Sequence, residues 1–164
     1  MGRKLRVFYS GALYHVIQRG NNKNFIYKDD ADKEMFFNLL LSTKKKYDFK
    51  ILYYVLMDNH YHMILESGDI PISKGLQLLN ASYSKYYNKK YNRSGGIYEG
   101  RYASLLITSP RYYYQLLRYI AWNPVKSGIV ENAKDYKWGA HQSIRSGESD
   151  IINIDRTLSY FSDH

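Results

Sequence analysis

The sequence predicts an α+β fold, an antiparallel sheet of ferredoxin-like β-α-β-β-α-β order with an additional C-terminal helix. Three observations carry this reading. Residues 12–19, 50–57, 60–66 and 101–108 are rich in β-branched and aromatic side chains, as strands are. Apolar residues recur at helical spacing in the segments between and after them. The second and third strands are separated only by Asp58-Asn59, a tight turn that makes them a hairpin.

The first strand, 12–19 (ALYHVIQR), is closed by the turn signal Gly20-Asn21-Asn22. Asp29 and Asp30 open a helix that runs to about Tyr47, with Met35, Leu39 and Phe36, Leu40 at helical spacing. After the hairpin, Pro71 and Ser73 begin a second helix, on which Ile72, Leu76, Leu79, Tyr83 and Tyr86 share a face. Asn92-Arg93-Ser94-Gly95-Gly96 breaks it. The strand 101–108 (RYASLLIT) leads to Ser109-Pro110, a helix start with proline in the first turn. This third helix is expected to end by Asn123, because Pro124 disfavours an α conformation in the residue before it. The first two helices should lie on one face of the sheet.

One domain suits a chain of 164 residues, 1–164, with 141–164 as a C-terminal extension. The chain has no cysteine, which excludes disulfides and Cys-based zinc sites. Apolar runs such as Ile51 to Met57 are too short to span a bilayer, and no secretory signal is visible, so a cytoplasmic protein without membrane contact is expected. Lys and Arg number 24 against 15 Asp and Glu, a net charge of +9 that favours polyanionic partners. The 19 tyrosines can act as stacking platforms for unpaired bases or as ordinary core and strand residues.

Two constellations carry chemistry. His60 and His62 alternate with Tyr61 on a strand, so both imidazoles share a face and can bind one divalent cation. The plain alternative is a pair of half-exposed strand histidines. The following Met63-Ile64-Leu65-Glu66 lacks the Asp-His of a dinuclear hydrolase. The second constellation is Tyr119 with Asn123, four residues apart on the third helix and therefore neighbours. Tyr119 falls to the side of the apolar stripe Tyr113, Leu116, Leu117 and Ile120, and no other tyrosine has Asn at the fourth following position.

His60-Tyr61-His62 resembles the His-hydrophobic-His signature of HUH endonucleases. Its surroundings resemble the single-tyrosine transposases of the insertion-sequence type, especially the REP-associated branch. The blocks that carry the resemblance are 14–21 (YHVIQRGN), 56–62 (LMDNHYH), 100–102 (GRY), 118–120 (RYI), 123–128 (NPVKSG) and 136–138 (YKW). They lie within about residues 12–140. Two departures are visible. Asp58 stands where the family usually has Pro, which should alter only the turn, and Tyr61 replaces a smaller aliphatic.

The resemblance implies that Tyr119 is a nucleophile and that His60, His62 and Asn123 hold Mg²⁺ or Mn²⁺. It implies metal-dependent cleavage and rejoining of single-stranded or hairpin DNA through a covalent 5′-phosphotyrosine. Arg19, Arg101, Arg118 and Lys126 lie in the matching blocks as phosphate-binding candidates, and Lys85, Lys89, Lys90 and Arg93 form a basic segment that could grip a hairpin stem. Activity is expected to fall below about pH 6, where protonated imidazoles cannot ligate. A catalytically inactive nucleic-acid-binding domain and a metal-dependent ribonuclease remain the other readings, and monomer and homodimer are both open.

Overall fold

The structure, a computed structural model, describes residues 6–161. Its main elements are β1 (Leu13–Arg19), α1 (Asp30–Tyr47), β2 (Lys50–Met57), β3 (His60–Glu66), α2 (Ile72–Lys90), β4 (Ala103–Leu106), α3 (Pro110–Lys126), α4 (His141–Ser146) and α5 (Ile154–Ser159). The strands form one antiparallel sheet in the order β2-β3-β1-β4, the ferredoxin-like arrangement expected. β4 is shorter than the predicted 101–108, because only Ala103–Leu106 pair with β1.

The helices α1 and α2 pack on the face that receives Tyr61. Phe36 of α1, Tyr83 of α2, Tyr27 and Tyr61 are all fully buried there, ring against ring. Burying each such ring stabilises the fold by roughly 1.5–3 kcal/mol. Asp29 caps α1 by accepting from the backbone N–H of Asp32, and Asp48, at φ 51°, ends it in a left-handed conformation. Asp32 is fully buried yet accepts from the Lys28 N–H, Lys90 Nζ and the hydroxyls of Tyr86 and Tyr91 at 2.5–2.9 Å. One carboxylate thus ties the start of α1 to the end of α2. Lys90, read from the sequence as part of a basic DNA-gripping segment, is instead committed to Asp29 and Asp32.

The opposite face is covered by α3 and α5. The β2–β3 register shifts between Ile51 and Tyr53, leaving Leu52 as an extra residue. Its carbonyl accepts from Thr157 Oγ1 of α5, while the Thr157 carbonyl accepts from Tyr113 of α3. The outer edge of β2 is paired as well: Leu56 N–H donates to Trp138 O and Ala140 N–H to Tyr54 O. That pairing satisfies backbone groups an edge strand would expose.

Two expectations need correction. α3 does not stop at Asn123 but runs through Pro124 to Lys126. The proline removes one N–H near the helix end, and the last turn is closed past it by Ser127 N–H to Asn123 O and Ile129 N–H to Pro124 O. Burial of the Pro124 ring holds it there. Asp58 also does more than shape the turn. Its carbonyl accepts from Ile26 and Tyr27, and its carboxylate pairs with Lys33 Nζ at 2.9 Å, so the hairpin is fastened to the start of α1.

Candidate active site

The orientation of β3 follows from its middle residue. Tyr61 is fully buried against Phe36 and donates its hydroxyl to Asn80 Oδ1 at 2.9 Å, so the α1–α2 core claims that face. Alternation then turns His60 and His62 to the other side. Arg19 lies directly opposite His60 in the ladder, and Ile17 opposite His62. α3 crosses this face with Tyr113, Leu116, Leu117, Ile120 and Pro124 buried beneath it. Its edge carries Tyr119 and Asn123, one turn apart, and Tyr119 is 47 % exposed.

These pieces meet in a cleft of about 350 Å³ that includes His60, His62, Tyr119 and Asn123. The Tyr119 ring stands edge-on to His62, centroids 5.6 Å apart, and Asn123 Nδ2 lies 3.5 Å from His62 Nε2. The two imidazoles are 5.1 Å apart and nearly perpendicular. Arg19, Lys23 and Lys126 supply positive charge, and no Asp or Glu lines the cleft. Its electrostatics therefore suit an anion.

Each histidine has one nitrogen already engaged. His60 Nδ1 is 2.6 Å from Asn59 Oδ1, which makes it a donor and leaves Nε2 unprotonated. His62 Nδ1 is 3.0 Å from His15 Nε2, with the two rings stacked. If His62 donates in that bond, its Nε2 is free to ligate, and His15 Nδ1 carries a hydrogen that is buried without a partner. Burial, helped by the neighbouring His60, His15 and Arg19, pushes His62 down to about 3. Burial takes His15 down to about 4. His60 is also lowered, by burial and Arg19, against a hydrogen bond with Asn123 that raises it. Burial thus favours the neutral form of all three imidazoles.

Among the described residues no group of three or more His, Cys, Asp or Glu could hold a metal. The donors the cleft could offer a cation are the Nε2 atoms of His60 and His62 and, with its side-chain amide turned, the oxygen of Asn123. A set without a carboxylate leaves a divalent cation its charge, to be balanced by an anionic phosphate. The residues fit Mg²⁺ or Mn²⁺ in that sense.

Of the expected DNA-binding residues, only Arg19 and Lys126 join this cleft. Arg118 lies in a neighbouring cleft on the far side of Tyr119. Arg101 lines cavities beside Arg6 and Tyr102. Lys85 and Lys89 are exposed on α2, which packs on the other face of the sheet. Arg93 bonds Asn88 Oδ1 and lies over the Tyr87 ring. Sequence reasoning missed Lys23 and His15. Lys23 has a left-handed backbone, φ 58°, whose only sequence signal is the Asn-rich turn around it. His15 is a buried polar residue in an apolar strand, two ladder pairs along from Ile17 and His62 and so on the same face.

The site is thus two strand histidines of a ferredoxin-like sheet facing a tyrosine and an asparagine of one helix. The family described as "Transposase IS200 like" matches residues 8–123, and the chain belongs to that family of transposases. A Haemophilus influenzae protein described as a REP-associated tyrosine transposase is 23 % identical over 158 residues, 89 % of each chain. Among solved structures, a REP-associated tyrosine transposase bound to a REP hairpin superposes with a TM-score of 0.73 at 19 % identity, covering 89 % of this chain and 86 % of that one. A Deinococcus radiodurans protein assigned as a transposase gives 0.51 at 15 % identity, over 73 % of this chain and 95 % of that one. These two likenesses establish the fold.

Proposed function

We propose that this transposase cuts and rejoins single-stranded or hairpin DNA through Tyr119, with Mg²⁺ or Mn²⁺ held by His60, His62 and Asn123. One observation carries the reading: four residues from β3 and α3, nearly sixty positions apart in the chain, converge in one cationic cleft. The relative bound to a REP hairpin supports hairpin DNA as the substrate.

Arg19, Lys23 and Lys126 draw the DNA phosphates to the cleft. A bound cation supplies Lewis-acid polarisation of a phosphate oxygen. Tyr119 Oη then forms a bond to phosphorus as the bond to the 3′ oxygen breaks. The phenolic proton passes to solvent, to which the ring is open, and the departing oxygen takes a proton to become a 3′-hydroxyl. The product is a 5′-phosphotyrosine, so reversal by a 3′-hydroxyl rejoins strands without ATP. His15 and Asn59 hold the two imidazoles in place while this happens.

The test is a denaturing gel of protein incubated with 5′- and 3′-labelled single-stranded hairpin DNA. A covalent adduct should form, disappear in Tyr119→Phe, and be absent with the same sequence as a full duplex, whose stacking shields the phosphate. DNA affinity should stay within a few-fold in Tyr119→Phe. Cleavage that survives this substitution removes Tyr119 from the role. Binding without any adduct favours the inactive-domain reading, and RNA cleavage without adduct the ribonuclease.

A further inference from the structure

Tyr119 is the wall between two clefts. On one side is the polar cleft of His60, His62 and Asn123. On the other is a second cleft of about 680 Å³, bordered by Arg118, Trp122, His141 and Gln115, and Tyr119 is the one residue that lines both. Trp122 follows Tyr119 by three positions on α3, so the two side chains are neighbours on the helix surface. Trp122 is 58 % exposed, whereas the other tryptophan, Trp138, is buried at 8 %. An indole this open is a large apolar surface left to solvent. The second cleft includes Arg118 and no Asp or Glu. A flat aromatic floor beside a cation, with carboxylates absent, is complementary to an anion that carries an aromatic ring.

We propose that the second cleft is a nucleobase subsite, in which the base of the nucleotide adjoining the attacked phosphate stacks on Trp122 while Arg118 contacts its backbone. The inference rests on the tyrosine-transposase reading and adds to it a place for a base. The phosphate lies on one side of Tyr119 and the base of the neighbouring nucleotide on the other, so the strand is draped across the nucleophile. Stacking needs no particular base, since every base has a π face, and the subsite therefore holds the strand in position without reading its sequence. It also requires an unpaired base, because a paired one is stacked within the duplex.

Tryptophan emission tests this directly. The probes are oligothymidylate, which forms no hairpin, and an abasic oligodeoxyribose phosphate of the same length and charge. Oligothymidylate should quench the protein's emission saturably, and the abasic oligomer should bind through its phosphates with little quenching. Because Trp138 is shielded, the quenching should vanish in Trp122→Phe. That variant keeps a ring and should bind within a few-fold of the parent, whereas Trp122→Ala should bind oligothymidylate about ten- to a hundredfold more weakly. Circular dichroism of both variants establishes that they are folded. Unchanged emission at saturating oligothymidylate, or equal quenching by the abasic oligomer, overturns the subsite. Quenching that follows protein concentration without DNA also overturns it, and marks the cleft as an interface between copies. The adduct gel is independent: an adduct with no Trp122 response defeats the subsite alone, and a Trp122 response with no adduct defeats the cleavage reading alone.

Discussion

His15 is placed to set which nitrogen His62 would offer a cation in the proposed site. Ligation through Nε2 requires His62 Nδ1 to donate to His15 Nε2, so His15 must be an acceptor at that position. His15→Leu removes the acceptor and should raise the Mn²⁺ concentration for half-maximal adduct formation by about 10–100-fold. His15→Gln, which can still accept, should stay closer to the parent. Equal metal requirements in the Leu variant and the parent would show that His15 is only packing. The three proposed ligands should respond more sharply. His60→Ala and His62→Ala should be nearly inactive, and Asn123→Ala weaker but measurable, since water can replace one neutral ligand. EDTA should abolish adduct formation and Mg²⁺ or Mn²⁺ restore it. Full activity in EDTA, or in the doubly substituted His60→Ala/His62→Ala protein, rules the metal site out.

The pairing of α1 with α2 depends on a buried carboxylate. Burial alone would raise the Asp32 pKa, but the donors from Lys90, Tyr91, the Lys28 backbone and Tyr86 outweigh it and hold the group below 3.8. The sign follows from the lowered value. This contribution to stability is complete above the unfolded-state pKa near 3.8 and is lost as pH falls through the lower folded value. Urea midpoints measured from pH 5 downward should therefore fall more steeply for the parent than for Asp32→Asn. Asp32→Ala, which strands two tyrosine hydroxyls, should cost about 2–3 kcal/mol at neutral pH. On the other face, Thr157→Val removes the donor to the bulged Leu52 carbonyl and should cost about 1–2 kcal/mol by the same measurement. No shift in Asp32→Ala would mean that the carboxylate does not hold α1 to α2, and none in Thr157→Val that its hydroxyl does not hold α5 to the sheet.

The sheet divides labour between its faces. The α1–α2 face is packed with tyrosine and phenylalanine rings, while the α3 face keeps a wet margin where histidines, tyrosine and cations can reach a ligand. A formal charge of +9 gives the molecule a general attraction for DNA, but only cations at the cleft should touch the reacting strand. Each phosphate contact releases counterions, so log affinity should fall linearly with log salt. Arg19→Gln and Lys126→Gln should each reduce that slope by about 0.7 for single-stranded DNA. Lys85→Gln and Lys89→Gln, on the far helix, should leave adduct formation unchanged. Slope reductions confined to the α2 variants would move the DNA path to the other face.

Chain order and local pattern were enough to derive the antiparallel sheet, its hairpin and the pairing of Tyr119 with Asn123. These rest on the alternation of a strand, the turn of a helix and the residues that punctuate both, which are properties of neighbouring positions. The same local rule misjudged Pro124, because its tolerance in α3 comes from burial of the ring and from bonds that close the helix beyond it. His15 beside His62, the three side-chain donors on Asp32 and the commitment of Lys90 to two carboxylates join residues 47 to 61 positions apart. No periodicity encodes such contacts. They arise when the sheet and helices close on one another, and there the tertiary structure turned two histidines and a tyrosine into a single cleft.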